Sequence, residues 1–397
     1  MTYDILIVGG GPAGLAFARA LDGAGLRIAL VERQSADLLA SPPVDGREIA
    51  LTHRSVATLT RLGAWAQLGL DDVSPLREAQ VLNGGSRFAL AFKTTGTGED
   101  RLGHLVPNHR IRQVLFRTVA GQPGLDLITG LGVTSVTTDR AGARVTLSDG
   151  RLLTARLVVA ADSRFSAVRK QLGIAAEVNR LGRSMMICRV AHEHDHRGIA
   201  TEWFDYGQTI AMLPLKDRLS SAVLTLPSQE INRLVALDAE ALGAELTRRY
   251  EARLGAMQVA EGPHVYPLAT TYARHFAATR AALIGDAAVG MHPVTCAWLQ
   301  PRAAGGGGAC GTDSWRRGQG KRYRVGVAAT PVRGDAPAGK PADLRRHQPA
   351  GRPLYRRPPC RAPRTWRDAE GGRPLAGGSP DHQPVPHAAL TEKRDLL

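Results

Sequence analysis

The chain has 397 residues, 43% of them hydrophobic and 22% charged, and its formal net charge at pH 7 is +15. The length allows two domains with a large buried core, and the sequence has no apolar run of the roughly 20 residues that a membrane-spanning helix needs. The charge would favour a nucleic acid or an anionic membrane as a partner, but residues 296–397 hold 19 Lys and Arg against 8 Asp and Glu. The first 295 residues are therefore close to neutral, and nucleic-acid binding by them is not predicted.

The beginning of the chain predicts a strand, a turn, a helix and a second strand. Residues 5–8 are apolar with β-branched character, as in a strand buried on both faces of a parallel sheet. A glycine-rich turn leads into a helical segment over residues 15–21, and residues 28–31 form the second strand. In this βαβ order the helix N-terminus favours phosphate, so we expect a dinucleotide. A secretory signal is the rival interpretation, but residues 1–4 carry an acid and no Lys or Arg.

The turn matches G-x-G-x-x-G at Gly9, Gly11 and Gly14. In this pattern the first glycine makes the sharp turn, the second admits a pyrophosphate and the third lets the helix pack closely on the strand. Ala13 lies inside the turn and belongs to the predicted cofactor site.

Glu32 ends the second strand, with Arg33 directly after it. A carboxylate at this place accepts hydrogen bonds from both ribose hydroxyls of an adenosine and repels a 2′-phosphate. We therefore expect FAD or NAD rather than NADP, in a site that includes both residues.

Two further arginines follow the dinucleotide unit. Arg47 precedes a helical pattern that runs from Val56 to Trp65, and a surface position and a phosphate or ribose contact explain it equally well. Arg112 projects from a predicted helix over residues 108–119. The other strand-like segments before residue 150 are 84–93, 102–106, 125–129, 133–138 and 143–147.

The middle of the chain changes in composition. Residues 157–162 form another buried-type strand that ends in an acid, Asp162, with a helical segment over 166–172 behind it. Four alternating segments then predict an antiparallel sheet: 185–190, 200–204, 209–215 and 220–226. Residues 234–254 predict one amphipathic helix, and the strand-then-acid pattern returns at 280–288 with Asp286. Cys188 is the only cysteine in the first 295 residues, which predicts a buried structural thiol and a reducing, cytoplasmic compartment.

Three separated segments together resemble the FAD-dependent aromatic hydroxylases: GGGPAG with Glu32, VVAADSRFSAVR at 158–169 and ALIGDAAVGMHP at 282–293. Within that group, DGREIALTHRS and GDAAVGMHPVT are most similar to the ubiquinone-biosynthesis hydroxylases, in particular to the bacterial 5-demethoxyubiquinol 5-hydroxylase branch. The general group has Gly-Ala-Asp-Gly where this chain has Ala160-Ala161-Asp162-Ser163, a variant that the branch tolerates. The resemblance covers residues 3–295.

The resemblance implies an α/β fold, in which a Rossmann-like FAD-binding domain carries an inserted antiparallel sheet-plus-helix substrate domain. The domains would be 1–180 and 271–295 for FAD, 181–270 for substrate, and 296–397 as a non-native or disordered basic tail. It also implies that the glycines and Glu32 hold the ADP part of FAD, that Arg47 and Arg112 contact the cofactor, and that Asp286 binds its ribityl-pyrophosphate region. A cap on the next turn is the alternative role for Asp286.

The same resemblance implies NAD(P)H as the reductant, O₂ as co-substrate and a polyprenylated quinol as substrate. The enzyme would be cytoplasmic or peripheral to the inner membrane, near other ubiquinone-biosynthesis enzymes. No general base stands out in the sequence, so no catalytic residue is predicted. No second ligand lies at metal spacing from His292, so no metal site is predicted either.

The resemblance stops near Thr295. There the family continues with A-H-G-F-N-L-G-L, whereas this chain has Cys296-Ala297-Trp298-Leu299-Gln300-Pro301-Arg302-Ala303. Codons for these eight residues, read one base later, are compatible with the family motif throughout. We interpret this as a frameshift near residue 295, either genuine or a sequencing error. A natural disordered tail is the alternative, and it explains the composition but not the hidden motif.

Three other functions remain open at this point. Another flavin oxidoreductase of the same fold would satisfy the same motifs. A nucleic-acid-binding protein that uses the Arg-rich tail would show a steep salt dependence. An inactive product of a frameshifted gene would retain the cofactor motifs without the activity.

Overall fold

The computed structural model describes residues 2–86, 88–94 and 99–291. Its strands are, in chain order, β1 Thr2–Val8, β2 Ile28–Glu32, β3 Glu48–Thr52, β4 Ser74–Leu76, β5 Glu78–Asn83, β6 Ala89–Phe92, β7 Gly103–Pro107, β8 Leu125–Thr129, β9 Val133–Thr138, β10 Ala143–Leu147, β11 Leu152–Ala160, β12 Ala176–His192, β13 Ile199–Asp205, β14 Gln208–Pro214, β15 Leu219–Pro227, β16 Met257–Ala273, β17 Ala277–Ala278, β18 Ala281–Leu283 and β19 Val289–Gly290. Its α-helices are α1 Pro12–Ala20, α2 Ala36–Ala40, α3 His53–Arg61, α4 Asn108–Val119, α5 Ala167–Gln171, α6 Ser228–Val235 and α7 Ala239–Arg249. Short 3₁₀ turns occupy Trp65–Gln67, Leu70–Asp72 and Gly285–Ala287.

The first sheet has the order β17-β18-β11-β1-β2-β8, and β1 pairs in parallel with both β2 and β11. In β1, the adjacent residues Leu6 and Ile7 are both fully buried and belong to different core clusters, so both faces of the strand are covered. Helices α1 and α4 cover one face, and strands β9 and β10 with α5 lie towards the other. The predicted parallel βαβ unit is therefore confirmed.

The second sheet has the order β19-β16-β12-β15-β14-β13-β5-β6, and its central meander is antiparallel, as predicted. Helices α6 and α7 pack on one face around Met186, Leu224 and Ile210. Strands β5 and β6 extend this sheet from a segment before residue 100. Strand β12 crosses residue 180 and β16 crosses residue 270, which are the predicted domain boundaries; the division into domains stays a prediction. A small third sheet has the order β3-β7-β4.

Two of the predicted elements are wrong. The single helix over 234–254 is two helices, because Asp238 interrupts it and caps α7 by accepting a hydrogen bond from the Ala241 amide at 2.7 Å. The single strand over 84–93 is a turn followed by the shorter strand β6, since Gly84 has a positive φ of 51° and reverses the chain between β5 and β6. By contrast, the helix over 108–119 and the strands over 125–129, 133–138 and 143–147 have the predicted bounds.

Cys188 is buried in β12, and burial raises the pKa of its thiol to about 12. This agrees with the structural role predicted for it. In the described part of the chain, no helix is both long enough and apolar enough to cross a membrane.

Candidate functional site

The glycine turn between β1 and α1 is shaped by two glycines and left open at a third. Gly9 has a φ of 112°, and a Cβ there would lie 2.4 Å from the carbonyl oxygen of Ala161. A Cβ at Gly14 would lie 2.0 Å from the carbonyl oxygen of Gly9. A Cβ at Gly11 would meet nothing within 4 Å. The first and third glycines therefore permit the fold itself, whereas the second faces open space at the start of α1.

Glu32 is tied to this turn through both carboxylate oxygens. Its Oε2 accepts a hydrogen bond of 2.6 Å from the Gly10 amide, and its Oε1 accepts one of 2.9 Å from the Gln34 amide. Each oxygen has a second lone pair, so the carboxylate retains acceptor capacity for the hydroxyls of a ribose. Arg33 is exposed directly beside it.

Gln34 connects Glu32 with the predicted cofactor arginine on α4. Its side-chain Oε1 accepts a hydrogen bond of 2.6 Å from Arg112 Nη2. Arg112 is thus held beside the acid at the end of β2, as a contact to the adenosine side of a dinucleotide requires. Gln34 could not be predicted from the sequence, because its role depends on a partner 78 residues away.

Arg47 lies further along, beside the second sheet. Its Nη2 is 2.6 Å from Asp45 Oδ2, and its guanidinium lies 5.4 Å from the centre of the Tyr266 ring. Tyr266 donates from its hydroxyl to the Asp45 carbonyl oxygen at 2.6 Å, and Asn108 donates to the Asp45 carboxylate at 2.7 Å. Burial acts to raise the pKa of Asp45, but the hydrogen bonds from Arg47 and Asn108 outweigh it and hold the pKa below its usual value.

Asp162 and Asp286, the two acids that follow later strands, also lie in segments that approach the glycine turn. A Cβ at Gly9 would lie 2.9 Å from the Cα of Asp162. Oδ2 of Asp162 accepts a long hydrogen bond, 3.4 Å, from the Val168 amide, and its buried Oδ1 has no partner among the described residues. Asp286 follows Gly285, whose Cβ, if present, would lie 2.8 Å from the Cβ of Ala13.

A fully buried arginine, which the sequence did not single out, fixes the segment after β18. Arg169 donates from Nη1 to the carbonyl oxygens of Ala287 at 2.8 Å and Arg164 at 3.1 Å. Arg164 in turn lies 3.5 Å from Asp286 Oδ2. Asp286 is thus contacted by Arg164, in the segment before α5, and its role as a cofactor ligand or as a cap on the next turn stays a prediction.

A second ion pair joins the small sheet to the second sheet. Arg189 Nη2 lies 2.7 Å from Glu48 Oε1, and the Glu48 side chain is only 1% exposed. Burial raises the pKa of Glu48, and the Arg189 guanidinium opposes that shift. Arg189 thus links the second sheet to β3 through Glu48, and Tyr266 links it to the loop before β3 through Asp45.

These residues fit a dinucleotide such as FAD. The open space at Gly11, the acceptor capacity of Glu32 and the unpartnered buried oxygen of Asp162 all lie around one turn, next to Ala13. The described residues contain no group of three or more His, Cys, Asp and Glu side chains placed to hold a metal ion. His292 and the segment after it lie outside the described residues.

Comparison with known proteins identifies the family of the chain. Residues 2–297 match the family model of an FAD-binding domain. The chain is 45% identical over 296 residues to "Ubiquinone hydroxylase UbiM" of Neisseria meningitidis, a match that covers 74% of this chain and 64% of that protein. It is 35% identical over 291 residues to "Ubiquinone hydroxylase UbiL" of Rhodospirillum rubrum, covering 73% of this chain and 67% of that protein. The chain thus spans about two thirds of the length of these relatives.

Among solved structures, the fold is similar to that of PqsL, described as a probable FAD-dependent monooxygenase from Pseudomonas aeruginosa. The TM-score is 0.61 at 21% identity, and the match covers 75% of this chain and 81% of that one. At this identity the likeness shows the fold alone.

Proposed function

Because the chain belongs to the FAD-binding domain family, with FAD as its cofactor, we propose that it is a monooxygenase that hydroxylates the ring of a polyprenylated ubiquinone precursor. The observation that carries this proposal is the line of contacts from the glycine turn to the second sheet. It runs through Glu32 and Gln34 to Arg112 on α4, and the first residue of the same helix, Asn108, donates to Asp45. The Asp45 carbonyl oxygen in turn accepts a hydrogen bond from Tyr266. A dinucleotide bound along this line would extend from its adenosine end at Glu32 towards the second sheet.

The chain's own residues bind and orient the two reactants. FAD, when bound, supplies the redox chemistry by accepting reducing equivalents from NAD(P)H and reacting with O₂. Gly9 and Gly14 allow the tight turn, Gly11 leaves the backbone open to phosphates at the start of α1, and Glu32 selects a ribose without a 2′-phosphate. Asp162 and Asp286 would face the middle of the cofactor.

The substrate would lie on the face of the second sheet that is turned away from α6 and α7. On this face Met185, Ile187 and Leu268 form a buried apolar cluster with Val223 and Tyr266. Towards the free edge of the sheet, Leu90 and Phe204 are 48% and 38% exposed. The exposed apolar side chains at the edge suit a prenyl chain, and they suit contact with a membrane surface from which such a substrate comes.

The finer parts of the proposal are the ring position and the reductant. The sequence resemblance favours hydroxylation at position 5 of a 5-demethoxyubiquinol with NAD(P)H, and the names of the two relatives give no position. Cytoplasmic placement at the inner membrane, next to other enzymes that modify the same lipid, follows from this choice of substrate.

We also propose that the reading frame changes after residue 295. The family match ends at residue 297, which supports a break at that point. Residues 296–397 lie outside the described residues, so the support comes from the sequence and the match alone. In the frame as it stands, this segment would not supply the A-H-G-F-N-L-G-L loop that the resemblance places against the cofactor ring.

Complementation tests the function. A strain that lacks the corresponding hydroxylase should regain ubiquinone when it carries the frame-restored gene, and its demethoxylated intermediate should disappear. If only an earlier ring hydroxylation is rescued, the ring position is wrong and the broader function stands. If no quinone intermediate changes while the protein is made and holds FAD, another flavin oxidoreductase activity replaces this proposal.

A further inference from the structure

Glu202, in β13, is a buried carboxyl that the site described above does not use. The residue is 4% exposed, and its Oε1 is buried with no hydrogen-bond partner among the described residues. Burial raises the pKa of Glu202 to about 7. A buried acid without a partner destabilises the fold, so its presence requires an explanation.

The strand pairing shows which face of the sheet carries this side chain. Paired residues on neighbouring strands point to the same face. Glu202 pairs with Val81 on one side and Ala211 on the other, and the row continues through Val223 to Ile187. Val223 and Ile187 belong to the apolar cluster on the face turned away from α6 and α7.

Trp203, the next residue of β13, supports this orientation of Glu202 because it lies on the opposite face of the sheet. Trp203 packs among the side chains under α7, with its ring 6.3 Å from that of Tyr250. Because successive side chains of a strand alternate between faces, Glu202 points the other way. It therefore lies on the same face as Tyr266, which contacts Asp45 near the predicted cofactor contacts.

The surroundings of Glu202 in this row suit an aromatic ring. Its flanking residues Val81 and Ala211 are apolar, and Ala211 has a small side chain. The row leads outwards to Leu90, which pairs with Val81 at the exposed edge. A ring bearing a hydroxyl and an apolar tail would satisfy the carboxyl at one end and cover the apolar edge at the other.

We propose that Glu202 hydrogen-bonds a ring hydroxyl of the bound substrate and so selects a phenol or quinol over the corresponding ring ether. The inference rests on the proposed function and specifies the group that recognises the ring. A site built to bond a hydroxyl discriminates strongly against an analogue that lacks the donor, because the buried partner is then left unpaired.

The test is equilibrium binding to the full-length chain loaded with FAD, measured by calorimetry. The probes are a para-alkylated 2-methoxyphenol and its O-methyl ether. The protein should bind the phenol at least about tenfold more tightly than the ether. Glu202→Leu should bind both about equally and should fold at least as well, because it removes an unpartnered carboxyl. Flavin content and melting temperature check the fold of each variant.

Two further variants sharpen the result. Glu202→Gln keeps the size and the hydrogen-bonding capacity and should retain most of the preference for the phenol. Glu177→Gln alters an exposed carboxyl of the same sheet that pairs with Arg274, and it should leave the preference unchanged. A Glu202→Leu protein that still prefers the phenol tenfold, or a Glu202→Gln protein that behaves like Glu202→Leu, overturns the assignment of Glu202.

The outcomes separate this inference from the proposed function. If the wild type and Glu202→Leu prefer the phenol to the same extent, the role of Glu202 is overturned and ring hydroxylation still stands. Wild-type protein that holds FAD but binds neither probe overturns the assignment of Glu202, and complementation by the frame-restored gene still decides the proposed function.

Discussion

The Gly10 amide and Glu32 Oε2 lie 2.6 Å apart, so the glycine turn after β1 and the acid at the end of β2 are joined by a hydrogen bond. This bond holds the carboxylate beside the start of α1. A bound dinucleotide would place its pyrophosphate at the start of the helix and its ribose at the carboxylate. The relationship explains why the acid and the glycines occur together in the sequence, 22 residues apart.

Gly11→Val should abolish FAD binding and leave the fold intact. No atom lies within 4 Å of the place where its Cβ would be, so a valine there meets the ligand rather than the protein. We expect at least a ~100-fold loss of FAD affinity, or about 2.7 kcal/mol, in fluorescence titrations of the apoprotein. Gly132→Ala, which also has open space, is the control. Unchanged FAD affinity in Gly11→Val would place the pyrophosphate elsewhere.

Gly14→Ala should instead destabilise the protein. Its Cβ would lie 2.0 Å from the Gly9 carbonyl oxygen, and the backbone must shift to relieve this clash. We expect a loss of about 1–3 kcal/mol in urea unfolding of the apoprotein, against less than about 0.5 kcal/mol for Gly132→Ala. Equal stability of the two variants would show that the close packing of α1 on β1 is incorrect.

Glu202 should make stability fall with increasing pH. Its pKa is raised to about 7 in the folded protein, so between the ordinary value near 4.5 and pH 7 the folded state holds a proton that the unfolded state has lost. The stabilisation is complete below the unfolded pKa and disappears as the pH rises through the folded one, with a slope of about 1.4 kcal/mol per pH unit.

The comparison of wild type with Glu202→Gln isolates this effect. Urea unfolding at pH 5 and pH 7 should show the wild type losing stability relative to the variant over that interval. An identical pH dependence of the two proteins would mean that the carboxyl is paired or solvated in the folded state.

Restoring the frame after codon 295 should create activity that the 397-residue sequence lacks. In the restored frame a small-residue loop replaces Cys296-Ala297-Trp298-Leu299-Gln300-Pro301, and small residues allow the backbone to approach the cofactor ring. We expect higher solubility, greater resistance to proteases after residue 295, and NAD(P)H-dependent hydroxylation only in the corrected protein. Equal behaviour of both proteins would show that residues 296–397 are a genuine part of the enzyme.

Local patterns account for the parts of the fold that the sequence predicted. The βαβ unit depends on glycines, an apolar run and an acid that are close in the chain, and the helix Asn108–Val119 shows its apolar period directly. The break at Asp238 was missed because the amphipathic pattern continues on both sides of it. The hairpin at Gly84 has a local signal, the turn-type sequence Asn83-Gly84-Gly85-Ser86, which the strand predicted over 84–93 did not take into account.

Some residues of the candidate site were likewise predictable from the sequence, and others were not. Gly9, Gly14 and Glu32 were predictable because each has a role within one supersecondary unit. The contact between Tyr266 and Asp45 joins residues 221 positions apart, and no pattern in the sequence relates them. The role of Glu202 could not be predicted from the sequence either, since its burial and lack of a partner depend on which strands flank it and on which face it occupies.

The most direct test of the account follows oxygen from O₂ into the product. The frame-restored protein, loaded with FAD, is given NADH, ¹⁸O₂ and a demethoxylated quinol, and the product is analysed by mass spectrometry. We expect one ¹⁸O atom in the ring of each product molecule. This incorporation should depend on FAD and should be absent in Gly11→Val. Oxidation of NADH with no ¹⁸O in the quinol, by a protein that binds both FAD and the substrate, would contradict it.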